Sequence, residues 1–254
     1  PVLKVSATNA LSPSATLAGS SSSSKTGTLE FTTNGNYTLN QYAGNNMNFS
    51  NSSGSATTLT FTNATNVLST GGGRTFANQS ANLTITFNGE VDIAGNTNNT
   101  CTISAVGPVV ISNRVFNSNT NFIRSLEKLG TGNLTMYGVN SYSGTIVARG
   151  ALVIPTGGSL VNCGTTVVAS TSASAENSAS LNLAGAAGVV QVSTNGFVRG
   201  GGSITSLEVQ DAGAVEVAVG TTWTTGGTID FAAGSKVLVT GTPTEASYTL
   251  VTAS

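Results

Sequence analysis

The feature that most constrains the fold is a series of short runs in which apolar and polar residues alternate, most of them ended by Gly, Asn or Ser. Alternation with a period of two places apolar side chains on one face of a β-strand, and the residues that end each run favour turns. The clearest runs begin at Leu29, Leu59, Leu83, Val91, Leu134, Thr145, Ala151, Thr165, Leu181, Val189, Ile204, Val215, Ile229, Val237 and Tyr248. The sequence therefore predicts an all-β protein built from many short strands.

The composition narrows the class of protein further. Hydrophobic residues make up 39% of the 254-residue chain, which is too much apolar material for a disordered polar segment. Charged residues make up only 7% and the net charge is −1, so the chain offers no basic face that would neutralise nucleic-acid phosphates. No run approaches the roughly 18 apolar residues that a membrane-spanning helix needs, so we expect no membrane span.

One phrase, Gly-x-Leu followed by a second apolar residue, recurs in the second half of the chain. Related forms begin at Gly132, Gly150, Ala179 and Gly213, at intervals typical of solenoid repeats. A sandwich or an up-and-down barrel would instead favour hairpin turns and a larger aromatic core. The recurrence therefore predicts a β-solenoid, which would have roughly a dozen coils at about 20 residues per coil.

We expect one continuous solenoid domain over residues 1–254. Polar N-terminal coils would cover 1–111, and repeat-like coils would cover 129–254. The alternation is weakest just before the second group, so we expect an irregular excursion at 112–128, either a loop or a short helix.

The region 126–154 contains a long ordered pattern of glycine, apolar and amide positions. Its members are Lys128, Gly130, Gly132, Leu134, Gly138, Asn140, Tyr142, Gly144, Thr145, Val147, Gly150 and Leu152. This pattern resembles the autotransporter passenger-associated β-strand repeat, a family of bacterial surface and secreted proteins. Ile146 departs from the family pattern, which often has a second Thr there. The resemblance implies a right-handed parallel β-helix in which the matching residues form turns and interior ladders.

The two ends of the chain suggest contacts with other copies. The chain opens without an initiator Met, and we expect either a processed, exported chain or a piece of a longer one. Neither end shows an amphipathic cap helix, a charged edge or a proline block. An open β-helix edge pairs with whatever fits it, and another copy of the same chain fits best. The expected contact residues are Pro1, Val2, Leu3, Tyr248, Leu250 and Val251.

These observations favour an extracellular or cell-surface structural protein that stacks head to tail into a filament. The alternative is an adhesin-like passenger fragment of a larger surface protein. The expected partners are copies of the chain itself, with surface glycans or other cells as further candidates. We expect no nucleic acid and no cofactor.

Catalysis is not expected from this sequence. The chain has no histidine, which excludes Ser/His/Asp and Cys/His mechanisms. Sugar-cleaving β-helix enzymes use clustered carboxylates or a bound cation, and the chain has only three aspartates, Asp92, Asp211 and Asp230. Asp211 and Asp230 lie about one coil apart, a spacing that would allow them to stack on one face as a catalytic dyad, but we expect two solvated acids in turns or strands. A carbohydrate-active enzyme is the weakest hypothesis, and no catalytic, cofactor-binding or metal-binding residue is predicted.

The densest charged stretch contains Arg114, Arg124, Glu127 and Lys128. We expect these side chains to form surface ion pairs that tie a loop to the solenoid. A filament contact or a ligand site is the alternative.

Two cysteines, Cys101 and Cys163, are too few for a disulfide framework. Aligned on one face three coils apart, they would be about 14 Å from each other, beyond the roughly 7 Å between Cα atoms that a disulfide allows. Buried thiols, an intrachain bridge across an irregular excursion and an intersubunit bridge all stay open. The single aromatics Tyr142, Phe197 and Trp223 are expected to fill corners rather than to form exposed platforms for sugars.

Overall fold

The computed structural model describes residues 1–19, 25–68, 75–170, 178–242 and 251–253, the last three without their side chains. Within these ranges the protein is all-β, and every strand pairing is parallel. The successive strands wind into a single parallel β-helix, consistent with the right-handed parallel β-helix that the family resemblance implies. None of the described residues belongs to a helix long and apolar enough to cross a membrane.

The strands of the described residues are short and are numbered here in chain order. They are β1 (Val2–Val5), β2 (Thr16–Ala18), β3 (Gly27–Phe31), β4 (Gly35–Leu39), β5 (Gln41–Gly44), β6 (Met47–Asn51), β7 (Thr57–Phe61), β8 (Thr65–Leu68), β9 (Thr75–Asn78), β10 (Leu83–Phe87), β11 (Glu90–Asp92), β12 (Asn99–Ala105), β13 (Val109–Ile111), β14 (Val115–Phe116), β15 (Arg124–Leu129), β16 (Asn133–Met136), β17 (Val139–Ser141), β18 (Gly144–Val147), β19 (Gly150–Ile154), β20 (Ser159–Asn162), β21 (Thr166–Val168), β22 (Ala179–Leu183), β23 (Ala186–Val192), β24 (Gly196–Gly200), β25 (Ser203–Val209), β26 (Ala214–Ala218), β27 (Trp223–Thr225), β28 (Ile229–Phe231), β29 (Lys236–Thr240) and β30 (Val251–Ala253).

The strands stack into three faces of a triangular coil. Face 1 contains β1, β3, β6, β9, β12, β15, β18, β21, β23, β25 and β28. Face 2 contains β4, β7, β10, β13, β16, β19, β22, β24, β26 and β29. Face 3 contains β2, β5, β8, β11, β14, β17, β20, β23, β25, β27 and β30. The strands β23 and β25 belong to two faces because each runs around a corner from face 3 to face 1. The described coils therefore number about eleven, close to the dozen that the sequence predicts.

The length of a coil varies along the molecule. On face 2, Leu59 pairs with Ile85, so one turn of the coil takes the chain from position 59 to position 85. Further along the same face, Leu181 pairs with Val198, so a turn there takes the chain only from position 181 to position 198. Because the strands stay short throughout, the difference lies mostly in the turns that connect them.

One apolar core runs along the inside of the coil. Alternate residues of each strand point inward and stack on the equivalent residues of the next coil, as in the fully buried column of Leu59, Ile85, Val109 and Leu134. The polar residues between them form the outer surface. The alternation predicted from the sequence is confirmed in this arrangement.

Corners of the coil depend on glycine and asparagine. Gly130 and Gly150 have φ angles of +79° and +69°, which L side chains rarely adopt, and a Cβ atom on Gly130 would lie 2.4 Å from the Ala105 carbonyl oxygen. Inside a corner of face 3, the Asn140 side chain accepts a hydrogen bond from the Val115 amide and donates to two carbonyls. These hydrogen bonds of the Asn140 side chain connect neighbouring coils where the main-chain pairing between strands is interrupted.

The segment predicted to be a loop or a short helix contains two strands and the turns between them. Residues 112–128 include β14 and most of β15, and residues 117–123 between these strands form turns, with no helix. Asn99 of β12 pairs with Arg124 of β15, so β15 belongs to the stack of face 1. Inward and outward residues do alternate in β15, but two of the inward residues, Arg124 and Lys128, are cations. The strand was therefore not predicted from the alternation of apolar and polar residues.

Candidate functional site

The N-terminal end of the coil presents an apolar surface. β1 pairs with β3, and no other described strand covers its outer edge. Val2 and Leu3 on this strand are 58% and 57% exposed. Beside them lies a cavity of about 430 Å³ whose lining is mostly apolar and includes Pro1, Leu17 and Lys25.

The C-terminal end of the coil is also apolar. β29 pairs with β26 on one side, and no described strand pairs with its other edge. All five residues of β29 are exposed, and Val237, Leu238 and Val239 are 47%, 38% and 53% exposed. A cavity of about 180 Å³ next to this strand is lined almost entirely by apolar side chains, including Trp223 and Leu207.

The structure places the residues predicted to form polymer contacts at these two ends as far as it describes them. Pro1, Val2 and Leu3 belong to the N-terminal surface. Val251 belongs to β30, which pairs with β27 in the last coil of face 3. Tyr248 and Leu250 lie outside the described residues.

Charged residues lie at both ends of face 1. Lys4 on β1 has a side chain that is 66% exposed, and its Nζ atom lies 3.6 Å from a carboxylate oxygen of Glu30 on the next coil. At the other end, Asp230 on β28 is exposed and stacks directly on Glu208 of β25. Face 1 therefore begins with a cation and ends with two adjacent acids.

Asp211 does not stack on Asp230, which rules out the arrangement that a dyad of these two acids would need. The coil there is longer than the spacing between these two aspartates, so the cross-strand neighbour of Asp230 is Glu208. Asp211 lies in the turn that follows β25. Hydrogen bonds from Gln210 and Gln191, both 2.9 Å long, lower the pKa of Glu208 and keep it ionised beside Asp230.

The predicted surface position of Arg124 is also wrong. Arg124 is only 1% exposed and points into the core from β15. Its Nε atom donates to the Ile93 carbonyl at 2.8 Å, and a terminal nitrogen donates to the Thr97 carbonyl at 3.4 Å. Burial lowers the pKa of Arg124, while Cys101 and Asp92 nearby act in the opposite direction.

Lys128 is the second cation inside the coil. It is fully buried, and its ammonium group donates to the carbonyls of Leu129 and Gly130 at 2.7 Å and of Arg149 at 3.0 Å. These carbonyls belong to corners of two successive coils. Burial, and to a lesser extent the Arg149 guanidinium, lower the pKa of Lys128 to about 7. Lys128 therefore acts as an internal clamp between coils rather than as a surface ion pair.

The remaining charges of this stretch do lie on the surface. Arg114 forms an ion pair with Glu90 at 2.7 Å, and its guanidinium lies 4.6 Å from the centre of the Phe116 ring. Glu127 accepts a hydrogen bond from Thr102 at 2.9 Å. The predicted surface pairing is thus confirmed for Arg114, and the sequence missed the burial of the two cations that follow it.

Both cysteines are buried and free. Cys101 is 3% exposed and its thiol donates to the Leu68 carbonyl, whereas Cys163 is fully buried beside Tyr142. Burial raises the pKa of each thiol to about 12. Protonated, enclosed thiols of this kind react slowly with disulfides or oxidants. Cys101 and Cys163 therefore act as small buried side chains of the core.

The repeat pattern at 126–154 forms turns and interior ladders. The apolar members are fully buried, and they are Leu134, Val147 and Leu152. Asn140, Tyr142 and Thr145 are buried polar members, and the Tyr142 and Thr145 hydroxyls lie 3.1 Å apart in a hydrogen bond. A Cβ atom would clash with main-chain atoms of a neighbouring coil at Gly130, Gly132, Gly138 and Gly150, but not at Gly144. The pattern is thus explained by the fold and contributes no exposed cluster of reactive groups.

The three single aromatics differ in their surroundings. Trp223 and Tyr142 are 3% and 6% exposed and belong to the core, as expected for residues that fill corners. Phe197 is half-buried on the outer surface, where the Arg199 guanidinium lies 4.9 Å from its ring centre.

No protein-family model, no curated protein and no solved structure matches the chain. The repeat at 126–154 therefore stays a resemblance, although the parallel β-helix that it implies is the fold observed. Among the described residues, no three or more Cys, Asp or Glu side chains come together as a metal site would require.

Proposed function

We propose that this protein is an extracellular structural subunit whose β-helix stacks head to tail into a filament. The observation that carries the proposal is the pair of exposed apolar ends, β1 at one end and β29 at the other. Edge strands with free amide and carbonyl groups are templates for further pairing. Because all faces run in parallel, the last coil of one copy has the same strand direction as the first coil of the next.

The geometry of such a contact gives a filament rather than a closed dimer. The two end surfaces are different parts of the molecule, so the contact between copies is heterologous. Each added copy leaves one unused N-terminal end and one unused C-terminal end. Growth continues along the axis of the coil as long as the rotation between copies does not close a ring.

Negative-stain electron microscopy of the purified chain tests this proposal. We expect threads about 2–3 nm wide, the girth of a coil whose sheets pack about 1 nm apart with side chains outside. The threads should survive a reducing agent, because Cys101 and Cys163 are buried and free. Isolated short rods at all concentrations would overturn the proposal.

A matched pair of variants identifies the surface responsible. Val239→Lys places a charge on the exposed C-terminal strand, where Val239 is 53% exposed, and should abolish the threads. Val161→Lys makes the same change on the side wall, where Val161 is 48% exposed, and should leave them intact. Equal effects of the two changes would argue against end-to-end contact.

A second candidate function is adhesion to a neutral glycan, and the outer surface of face 2 favours it. Thr38 pairs with Thr60 and Thr60 with Thr86, while Thr58 pairs with Thr84, which gives a regular array of hydroxyls without charge. Such an array offers hydrogen bonds to an uncharged sugar surface. Binding to neutral polysaccharides should be lost with Thr60→Glu and kept with Val167→Glu on face 1; loss with both would overturn this assignment.

A further inference from the structure

The first strand of face 1 has a cation between two core positions. In β1, Leu3 stacks on Leu29 and Val5 stacks on Phe31, and both of these partners are fully buried. Lys4 lies between them on the outer side, with its side chain 66% exposed. The strand therefore presents an apolar–cationic–apolar sequence at the N-terminal end.

The last strand of face 1 has an acid in the same arrangement. In β28, Ile229 stacks on Leu207 and Phe231 stacks on Val209, both of them core residues. Asp230 lies between them on the outer side and is exposed. The strand therefore presents an apolar–anionic–apolar sequence at the C-terminal end.

The acidic end places two like charges on neighbouring strands. Asp230 stacks directly on Glu208, and like charges in directly neighbouring positions of a sheet destabilise it. Glu208 is held by hydrogen bonds from Gln191 and Gln210, which are neutral, so they do not cancel its charge. A cation placed beside Asp230, on the edge of β28 that no described strand covers, would bring opposite charges together.

We propose that the charge pair between Lys4 of one copy and Asp230 of the next fixes the direction and register of head-to-tail stacking. This inference rests on the proposed function. Aligning the inward positions of β1 and β28 places Leu3 on Ile229 and Val5 on Phe231, and it brings Lys4 beside Asp230. Contacts between two N-terminal ends or two C-terminal ends would instead bring like charges together, which disfavours pairing.

Two charge-reversal variants and their mixture test the inference. Lys4→Glu gives a chain with acids at both ends, and Asp230→Lys gives a chain with cations at both ends. Neither variant should form threads alone at wild-type concentrations, with the critical concentration raised about tenfold or more. An equimolar mixture should form threads again, because each joint then unites opposite charges.

Arg149→Glu is the control, since it reverses an exposed charge in the middle of the coil and should leave thread formation unchanged. Circular dichroism establishes that each variant retains the wild-type fold. Normal threads from Lys4→Glu or Asp230→Lys alone would overturn the charge pairing and leave the filament intact. Failure of the mixture to recover would also overturn the pairing. A wild-type chain that stays monomeric would overturn the proposed function, and this inference with it.

Discussion

The coils between residues 27 and 92 and those between 150 and 218 share one backbone plan but fill it differently. Among the described residues, the first region buries Phe31, Tyr37, Tyr42, Phe49, Phe61, Phe76 and Phe87. Their rings contact one another with centroids 4.5–6.3 Å apart, as in the stacked pair of Phe61 and Phe87 at 5.0 Å. The second region has no buried aromatic side chain among its described residues and is filled by Leu, Ile, Val and Ala.

Coil length does not explain the difference, because long and short coils occur in both regions. Leu29 pairs with Phe49 after a short coil in the first region, and Leu152 pairs with Leu181 after a long one in the second. Protein interiors are filled to nearly constant density, so larger side chains require a wider interior. The coils filled by aromatic rings are therefore the wide coils, and those filled by aliphatic side chains are the narrow ones. The comparison shows that the width of the interior follows the volume of the side chains that fill it.

The largest expected effect comes from emptying a wide coil. Phe61→Ala should lower the free energy of unfolding of its region by about 3–5 kcal/mol, because the neighbouring rings cannot close the cavity. Hydrogen exchange should show lost amide protection in β4, β7 and β10, and unchanged protection in β24 and β26, because a solenoid couples mainly nearest neighbours.

The reciprocal control is Leu183→Ala in a narrow coil, where Leu183 is 1% exposed. It should reduce protection in β19, β22 and β24 and leave β7 unchanged. Uniform loss of protection along the whole coil from either variant would show that the two regions unfold as one unit and would break the comparison.

The next effect concerns the clamp between the two regions. Lys128→Met keeps most of the side-chain volume but leaves three carbonyls without their donor, so at pH 8, where the amine is mostly neutral, we expect a loss of about 1–3 kcal/mol. Chemical denaturation of the variant and the wild type at pH 8 measures this difference. A variant as stable as the wild type would show that the Lys128 amine adds nothing to the joint between the regions.

The same residue gives a pH dependence with a definite sign. The pKa of Lys128 is about 7 in the folded chain instead of its ordinary 10.5, so between these values the unfolded chain binds a proton that the folded chain has released. The free energy of unfolding should therefore rise with pH in this window. Denaturation from pH 7 to about 8, below the ordinary range of thiols, should show the rise in the wild type and not in Lys128→Met.

A smaller effect should follow from overfilling a narrow coil. Val198 is fully buried between Leu181 and Val215, and Val198→Phe should cost about 1–3 kcal/mol because this short coil cannot widen. Leu59→Phe in a wide coil should cost less. Thermal denaturation of both variants makes the comparison, and equal costs would contradict the match between interior width and side-chain volume.

The smallest effects should be equal in the two regions. Each has an exposed arginine that pairs with a glutamate and lies over a phenylalanine ring two residues away in the sequence: Arg114 at the edge of the wide coils and Arg199 in the narrow ones. Their side chains are 45% and 40% exposed, so Arg114→Ala and Arg199→Ala should each cost about 0–1 kcal/mol. A clear difference in denaturation midpoints would mean that the core of a region influences its surface.

Much of the fold was predictable because alternation survives in single strands. The runs beginning at Leu29, Leu59, Leu83 and Leu181 all form strands with their apolar residues inward. β15 was missed, because hydropathy treats Arg124 and Lys128 as surface residues. Backbone carbonyls, several of them from other coils, satisfy these cations, and no local sequence signal reveals them.

Distances across coils were the least predictable quantity. The pairing of Asp230 with Glu208 instead of Asp211 depends on turns that lengthen one coil beyond the predicted spacing. Turns of a solenoid tolerate insertions at little cost, so their lengths carry no fixed period. Pro1, Val2 and Leu3 were named from the sequence, but the exposed strand β29 was not among the predicted contact residues, and the charge arrangement on face 1 required the register.

Local preferences along the chain are enough to predict short strands with one apolar side and tight glycine and asparagine corners. Which residues stack across coils, how wide each coil is and which cations lie inside it become clear only in the folded molecule. Those properties depend on main-chain groups and side chains that are distant in the sequence, such as Gln191 with Glu208 and Asn51 with Ser80. Alternation along one strand gives no information about such partners, because it describes only which side of that strand each residue faces.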